Sequence, residues 1–435
     1  MDPIALHHAM LLQHHALKLQ QDSMIMLTML KMRRKKYTKK KYWVVPWLRE
    51  RQRDHYGQYT SLMKELRLGD EASYRNYLRM PPEMFDELLT RVGPRIEKMD
   101  TNYRRAIETG VKLTATLRHL ATGIDYPSLS YDFRVSRHTI ATFIPLVCKA
   151  IVDEYKNEVI PCPTSAAEWK AIADEFERRW NVPHAIGALD GKHVAIRKPA
   201  SSGSLYYNYK KFCSIVLLAL VDANAKFLWI DVGGLGHQSD AQIFNASELH
   251  ECIVDGSVHL PAAEPMTNDD VDVPFFILGD DAFALKPYLM KPYTRRGLTK
   301  EETICNYRIS RGRRVVENAF GILSSRFRCL LTTLQQNPDN CRLIVEACVC
   351  LHNIMRMRYP ALQNADMDME DLEHNIIPGE WRNSGDLQDL AYHLGRNRDN
   401  AEGKKVRDYI KNYFNSPVGS VPWQEKMVTA KHRVF

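Results

Sequence analysis

From residue 48 to about residue 158, apolar side chains recur three and four positions apart, as in YGQYTSLMKELRL, PEMFDELLTRVGPRI, VKLTATLRHLATG and RHTIATFIPLVCKAIVDEY. That spacing lines one face of a 3.6-residue helix, so the whole stretch predicts helices. Pro81 and Pro82 fall at a helix start, where a missing N–H costs little. Gly123 falls where a helix ends. Beyond Pro183 the pattern changes. Residues 185–189 are apolar, SIVLLALVD (214–222) is rich in β-branched residues and leucine, and KFLWIDVG (226–233) follows a turn marked by Asn224. The last two predict a hairpin. A helix over about 239–254, a buried strand in PFFILGDDAF (274–283) and a helix in SRGRRVVENAFGILSSRF (310–327) complete an α/β core with mixed strand pairing.

One segment of the helical half has a more specific shape. In PSLSYDFRVSRHTIATFI (127–144) a short helix over 129–133 meets a tight turn at Val135, and Ser136 can cap a longer helix. That is the outline of a helix-turn-helix, with Arg137, His138 and Thr139 presented at the start of the second helix.

Acidic residues punctuate the strand pattern. In GALDGKHVAI (187–196) an apolar run climbs to Asp190, stops at Gly191 and resumes, and Asp-Gly between apolar segments is first of all a hairpin signal. Asp280 occupies an equivalent place at the end of FFILG. Ligand sites in open α/β sheets lie outside the carboxyl ends of the strands. The two acids would therefore meet if their strands are neighbours. In the helix over 310–327, Val316, Phe320, Leu323 and Phe327 mark the buried face. Glu317 stands about 100° round from Val316, at the margin of that face. From there it either points across the sheet edge or pairs with Arg313 one turn back. Three converging carboxylates repel one another unless a cation sits among them. Oxygen ligands of this kind suit Mg²⁺ or Mn²⁺. Two such ions can activate a water and stabilise the leaving oxygen of a phosphodiester.

Composition narrows the setting. The 435 residues are 45% hydrophobic and 26% charged, enough for a substantial core and two domains with tails. The net charge of +8 is spread along the chain and favours an anionic partner only weakly. Its one concentration is KMRRKKYTKKK, where Lys31, Arg33, Arg34, Lys35, Lys36, Lys39, Lys40 and Lys41 make eight of eleven residues basic. Such a run stays extended and serves as a nuclear import signal, a nucleic-acid arm, or both. Before it, residues 1–30 are rich in Met, Leu and His without capping residues, and predict a loosely helical or disordered extension. No stretch reaches the ~18 apolar residues of a membrane span, and the N-terminus lacks the cationic start of a secretory signal.

The nine cysteines are odd in number and form no CxxC pair, so neither a disulfide framework nor a zinc ribbon is expected, and a reducing, intracellular home follows. Cys348, Cys350 and His352 in ACVCLHN cannot all point one way on a helix and are expected in the core. Residues 366–374 read as an acidic linker, 387–414 as one amphipathic helix and the last twenty residues as disordered, with no chemistry among them. The expected division is a basic extension (1–47), a helical domain with the helix-turn-helix (48–160), a catalytic domain (161–360), and a linker with tail (361–435).

The ordered set DGKHVAI … LGDDAF … RVVENAFGILSSRFRCL … CVCLHN resembles the PIF/Harbinger transposases and the animal Harbinger transposase-derived nucleases, a branch of the DDE endonucleases. WVVPWLRERQ and the region after it are similar to the family's N-terminal part, so the likeness spans roughly residues 42–356. The resemblance implies an RNase H-like core that gathers Asp190, Asp280 and Glu317 as catalytic acids and metal ligands. It also implies metal-dependent cleavage of DNA by a two-metal mechanism, a mainly nuclear location with some protein in the cytoplasm, and a Myb-like DNA-binding partner protein. His193, Asn208, Lys210, Asp240, Arg326 and Arg328 fit the family pattern as well. Of these, His193 and Asp240 are expected to support the acids from just outside, or else to be a core histidine and a helix-start carboxylate. Asp281 replaces a commoner small residue, and a strand would turn it away from Asp280. A second reading is a domesticated DNA-binding protein that keeps the fold without using cleavage.

Overall fold

The hairpin expected at Asp190-Gly191 does not form. In the computed structural model, which describes residues 3–33, 42, 44–102, 104–294, 297–360, 367–383, 385–390 and 399–431, those two residues lie inside one unbroken strand of eleven residues. The chain divides into the units Met1–Arg49 and Glu50–Phe435. The first holds helix α1 (Pro3–Arg33) with exposed Met10, Leu12, Leu19 and Met24. Arg33 closes that helix, whereas Arg34, Lys35, Lys36, Lys39, Lys40 and Lys41 lie outside the described residues.

The second unit begins with the expected helices: α2 (Glu50–Tyr56), α3 (Leu62–Gly69), α4 (Glu71–Leu78), α5 (Pro82–Ile96), α6 (Thr109–Thr122), α7 (Tyr126–Phe133) and α8 (Arg137–Val159). Local chemistry sets their ends. Asp125 accepts the Ser128 N–H at the start of α7, Ser136 accepts the Thr139 N–H at the start of α8, and Gly123 ends α6 in the left-handed region at φ 71°. Helices α7 and α8 meet at 100° through Arg134, itself left-handed, and the buried Val135. Among the described residues no single helix is long and apolar enough to cross a membrane.

Helix α9 (Ala166–Trp180) leads into β1 (Ala185–Ala195), β2 (Ser214–Val221) and β3 (Phe227–Leu235). The predicted β2–β3 hairpin is present; Asp222 builds its turn by accepting the N–H groups of Asn224 and Lys226, both at 2.8 Å. The single helix expected over 239–254 is two, α10 (Asp240–Asn245) and α11 (Glu248–Asp255), because Ser247 caps the second and interrupts the first. After the small pair β4 (Glu264–Pro265) and β5 (Asp272–Val273) come the short strands β6 (Phe276–Leu278) and β7 (Leu289–Met290). Helix α12 (Lys300–Arg326) starts ten residues before the expected 310, where Thr299 and Glu302 form a capping box. Helix α13 (Pro338–Arg358) follows, then β8 (Met369–Glu370), β9 (Ile376–Ile377), β10 (Gln388–Asp389), α14 (Ala401–Asn415) and α15 (Gln424–Lys431).

The main sheet runs β3-β2-β1-β6-β7. Strand β1 pairs antiparallel with β2 along its length and parallel with β6, while β10 joins the same edge of β1 further on. Helix α12 packs Val315, Val316, Ala319 and Phe320 on one face of the sheet, together with Ala188 and Val194 of β1. Leu189 faces the opposite side, with Ile243 and Phe244 of α10.

Helical and sheet parts belong to one unit, joined where α8 lies along α13. Cys348, Cys350 and His352 are buried in that core, His352 donating from Nε2 to the Ala225 carbonyl at 2.9 Å. Next to them Asn353, fully buried, donates from Nδ2 to the carbonyls of Val159 (2.7 Å) and Phe227 (2.8 Å) and accepts the Phe227 N–H at 3.0 Å. It thereby ties the end of α8 and the start of β3 to α13. Asn353→Ala strands three buried backbone groups, so a loss of about 3 kcal/mol is expected, read as a lower urea midpoint at unchanged slope. A loss below about 1 kcal/mol would refute the clamp.

The region after 360 is not a free linker and tail. Glu370 pairs with Arg311 (2.7 Å) and Arg314 (3.0 Å) of α12, and buried Asp368 pairs with Arg382 at 2.5 Å. Trp381 donates to Asn318 of α12 at 3.0 Å. Its ring lies where a Cβ on Gly321 would stand, at 2.2 Å, so the glycine of VVENAFG leaves room for this strap. In place of one helix over 387–414 there are β10 and α14, and α15 occupies part of the stretch expected to be disordered. Local composition hid this because the segment is held by long-range ion pairs.

Candidate active site

Asp190 owes its position to a gap in the sheet edge. Strand β6 pairs with β1 only as far as Ala188↔Leu278, and β10 starts at Lys192↔Asp389. Residues 189–191 have no strand partner on that edge, which leaves space for side chains. The alternation that turns Ala188 and Val194 toward α12 turns Asp190 the same way and Gly191 toward α10. Asp280 arrives just past the end of β6. Its Oδ1 accepts the Ala282 N–H at 2.9 Å, which fixes the carboxyl group, while Asp281 is exposed and outside the acid group.

Asp240 opens α10 immediately after the cap Ser239, and its Oδ1 lies 1.9 Å from where a Cβ on Gly191 would stand. The glycine of DGKH therefore marks a close approach rather than a turn. Asp190, Asp240 and Asp280 are all buried, and each offers an oxygen within 4.8 Å of the others. Asp240, expected to stand just outside, is a member of this tight group. Glu317 of α12 is half-buried and lines the same cavity, of about 380 Å³, without belonging to the tight group. The cavity is closed by Lys192, Arg313, Trp381, Arg382, Asp386 and Asp389.

The electrostatics are those of a crowded acidic centre. Burial, and then the charges of Asp190 and Asp280, push the Asp240 carboxyl well above the usual carboxylate range. Burial pushes Asp280 up to about 6 against the opposing pull of Arg313, and burial also raises Glu317. Lys192 stands 3.2 Å from Asp190 and also pairs with Asp389. Burial alone would lower the Lys192 ammonium, but the two carboxylates hold it above its ordinary value. Arg313 approaches Asp190 at 3.9 Å. Asp240 is only 3% exposed, and its Oδ1 has no hydrogen-bond partner among the described residues. A buried carboxylate oxygen is rarely left so, because desolvation without a partner is costly. An oxygen-only donor set with one unmatched buried oxygen fits a hard divalent cation.

His193 is placed elsewhere. Its ring is buried on the other face of β1, with Nδ1 3.0 Å from the Ser214 hydroxyl, which also accepts from Asn208 at 3.0 Å. Burial pushes it down to about 4, so it is a neutral core histidine and does not line the acid cavity. Lys210 donates to Gln388 of β10 at 2.9 Å. Arg137 and His138 are exposed at the start of α8, with Thr139 half-buried beside them. Sequence reasoning missed Lys192, Arg313, Trp381, Arg382, Asp386 and Asp389. Lys192 had a signal, a lysine two residues from an acid in a strand and so on the same face.

These features define an α/β protein with a buried acidic centre at the edge of a mixed sheet. Residues 189–353, which carry three of the four site acids on the sheet-to-α12 side as well as Asp240, match the family described as DDE superfamily endonuclease. Over those residues the chain is similar to the DDE superfamily endonucleases. It is 27% identical over 310 residues to "Putative nuclease HARBI1" of Xenopus laevis, covering 69% of this chain and 83% of that protein. The human protein of that name is 27% identical over 281 residues, 63% of this chain and 74% of its own length. "Protein ALP1-like" of Arabidopsis thaliana is 22% identical over 310 residues, 69% of this chain and 72% of its own. These likenesses agree with the Harbinger resemblance of the motifs. No solved structure matches the chain.

Proposed function

We propose that the protein is a divalent-metal-dependent DNA endonuclease that hydrolyses phosphodiester bonds, with Asp190, Asp240 and Asp280 as the inner metal ligands and Glu317 facing the same cavity. The observation that carries this reading is the unmatched, buried Oδ1 of Asp240 beside two further acids. Bound Mg²⁺ or Mn²⁺ would supply an activated water and stabilise the leaving oxygen, the chemistry of a two-metal site. The chain's own residues prepare that centre. Lys192 and Arg313 stand beside Asp190, and the Ala282 N–H orients Asp280. Gly191 admits Asp240.

The sheet order supports an RNase H-like core, since a long central β1 carries an antiparallel hairpin on one side and short parallel strands on the other. The 100° junction of α7 and α8 supports a helix-turn-helix that offers Arg137, His138 and Thr139 to DNA. The basic residues 31–41 suit nuclear import and phosphate binding, and a Myb-like protein is the expected partner. Retention of nuclear accumulation after deletion of 31–41 would refute the import role.

The decisive experiment is nicking of duplex DNA with Mg²⁺ or Mn²⁺ by the wild type and by Asp280→Asn. Cleavage by the wild type alone, abolished by chelator, is expected. Losing one ligand removes several kcal/mol of transition-state stabilisation, on the order of 10³-fold in rate. Cleavage that survives Asp280→Asn or chelation would overturn the assignment. Tight DNA binding without cleavage by the wild type would favour the domesticated binding protein.

A further inference from the structure

A second cavity, of about 370 Å³, opens at the far end of α12. Arg75 of α4 and Arg79, which caps that helix, line it, with Arg326 from the last residue of α12 and Arg328 just beyond. Glu380 is its one acidic lining residue among the described residues. Arg79 is held in the left-handed region at φ 63°, and its Nη1 donates to Asn76 at 2.7 Å. Arg75 lies 3.8 Å from Glu71, Arg326 is buried, and Arg328 is exposed. Four arginines thus line one small volume. Planar guanidinium forks match the oxygens of a phosphate group.

Its location connects this cavity to the acidic centre. The turn Glu380–Asn383 separates the two: Glu380 lines the arginine cavity, while Trp381 and Arg382 line the acid cavity. Along α12, Glu317 and Arg326 are nine residues apart, about 14 Å at 1.5 Å per residue. One strand of B-DNA carries a phosphate every 3.4 Å of axis, so that span is on the order of four nucleotides.

We propose that the arginine cavity is a binding site for a backbone phosphate of the DNA strand, a few nucleotides from the phosphate presented to the acids. It sets the strand's register on the enzyme. The proposal rests on the nuclease reading for the identity of the polyanion, but its test needs no cleavage.

Binding of a fluorescent DNA duplex is measured by anisotropy on the full chain, in chelator, over a series of salt concentrations. Wild type is compared with Arg328→Ala, with the double variant Arg75→Ala/Arg328→Ala, and with Arg328→Lys. Loss of this one phosphate contact is expected to reduce the slope of log K against log salt by up to about 0.9, reached in the double variant. Arg328→Lys keeps the slope and loses affinity, because the charge remains and the fork does not. An unchanged slope and affinity in the double variant overturns the proposal, even where the wild type nicks DNA. A reduced slope supports it, even where the wild type does not nick DNA and the nuclease reading fails. Both substituted residues are partly or fully exposed, so misfolding is not the expected cause of any change.

Discussion

Asp240→Asn is expected to raise the thermal stability of the metal-free protein while abolishing both stabilisation by Mn²⁺ and DNA nicking. The Asp240 carboxyl is 3% exposed, has an oxygen without a hydrogen-bond partner among the described residues, and faces Asp190 and Asp280 within 4.8 Å. Its ionised form is opposed by burial and by both neighbours. Asparagine keeps the shape, removes the charge and brings an amide that can donate to a neighbouring carboxylate. Relief of one buried, unmatched charge is worth about 1–3 kcal/mol. The same change removes an inner ligand. A ligand at 100 times its dissociation constant stabilises by about 2.7 kcal/mol, and the variant should lose most of that rise. Thermal unfolding with and without Mn²⁺ reads both effects. A variant less stable than the wild type without metal, yet still stabilised by Mn²⁺, would show that Asp240 is not a ligand.

Gly191→Ala is the second large effect. A Cβ at this position would stand 1.9 Å from the Asp240 Oδ1 and 3.4 Å from a Leu390 methyl. Either the start of α10 or the centre of β1 must shift, and β1 is paired with β2 from Ala188 to Ala195. The acid group is therefore expected to open, with nicking lost by on the order of 10²-fold or more, as misplacement by about 1 Å implies. Overpacking of this kind costs about 1–3 kcal/mol of stability. Gly69→Ala, where the added methyl meets nothing within 4 Å, is the control and should change neither property. Wild-type nicking by Gly191→Ala would remove the close-approach account of the DGKH motif.

On the proposed reading, one DNA strand would cross the turn Glu380–Asn383, which separates the arginine cavity from the acid cavity. That turn belongs to the segment that composition alone presents as linker and tail. Its ion pairs, Asp368 with Arg382 and Glu370 with Arg311 and Arg314, place it beside the acids. Substitutions at Trp381, Arg382, Asp386 and Asp389 are therefore substitutions at the cavity's lining.

By itself the sequence determined the elements whose causes are local. The caps Ser136 and Gly123, the Asp222 turn and the apolar periodicity of α12 all act within a few residues, so their helices and hairpin were legible. Asp190 and Asp280 were legible as acids at strand ends, Glu317 as an acid at the margin of a helix's buried face, and the three together as a family motif. The tertiary structure alone decided the rest. Asp-Gly read as a turn because the local rule is a turn rule; pairing of β1 with β2, β6 and β10 keeps it extended instead. Asp240 came into the acid group because the start of α10 approaches Gly191, 49 residues away in sequence. Lys192, Arg313 and the strap from 381 to 390 joined it through contacts between segments far apart in the chain, which no local spacing encodes.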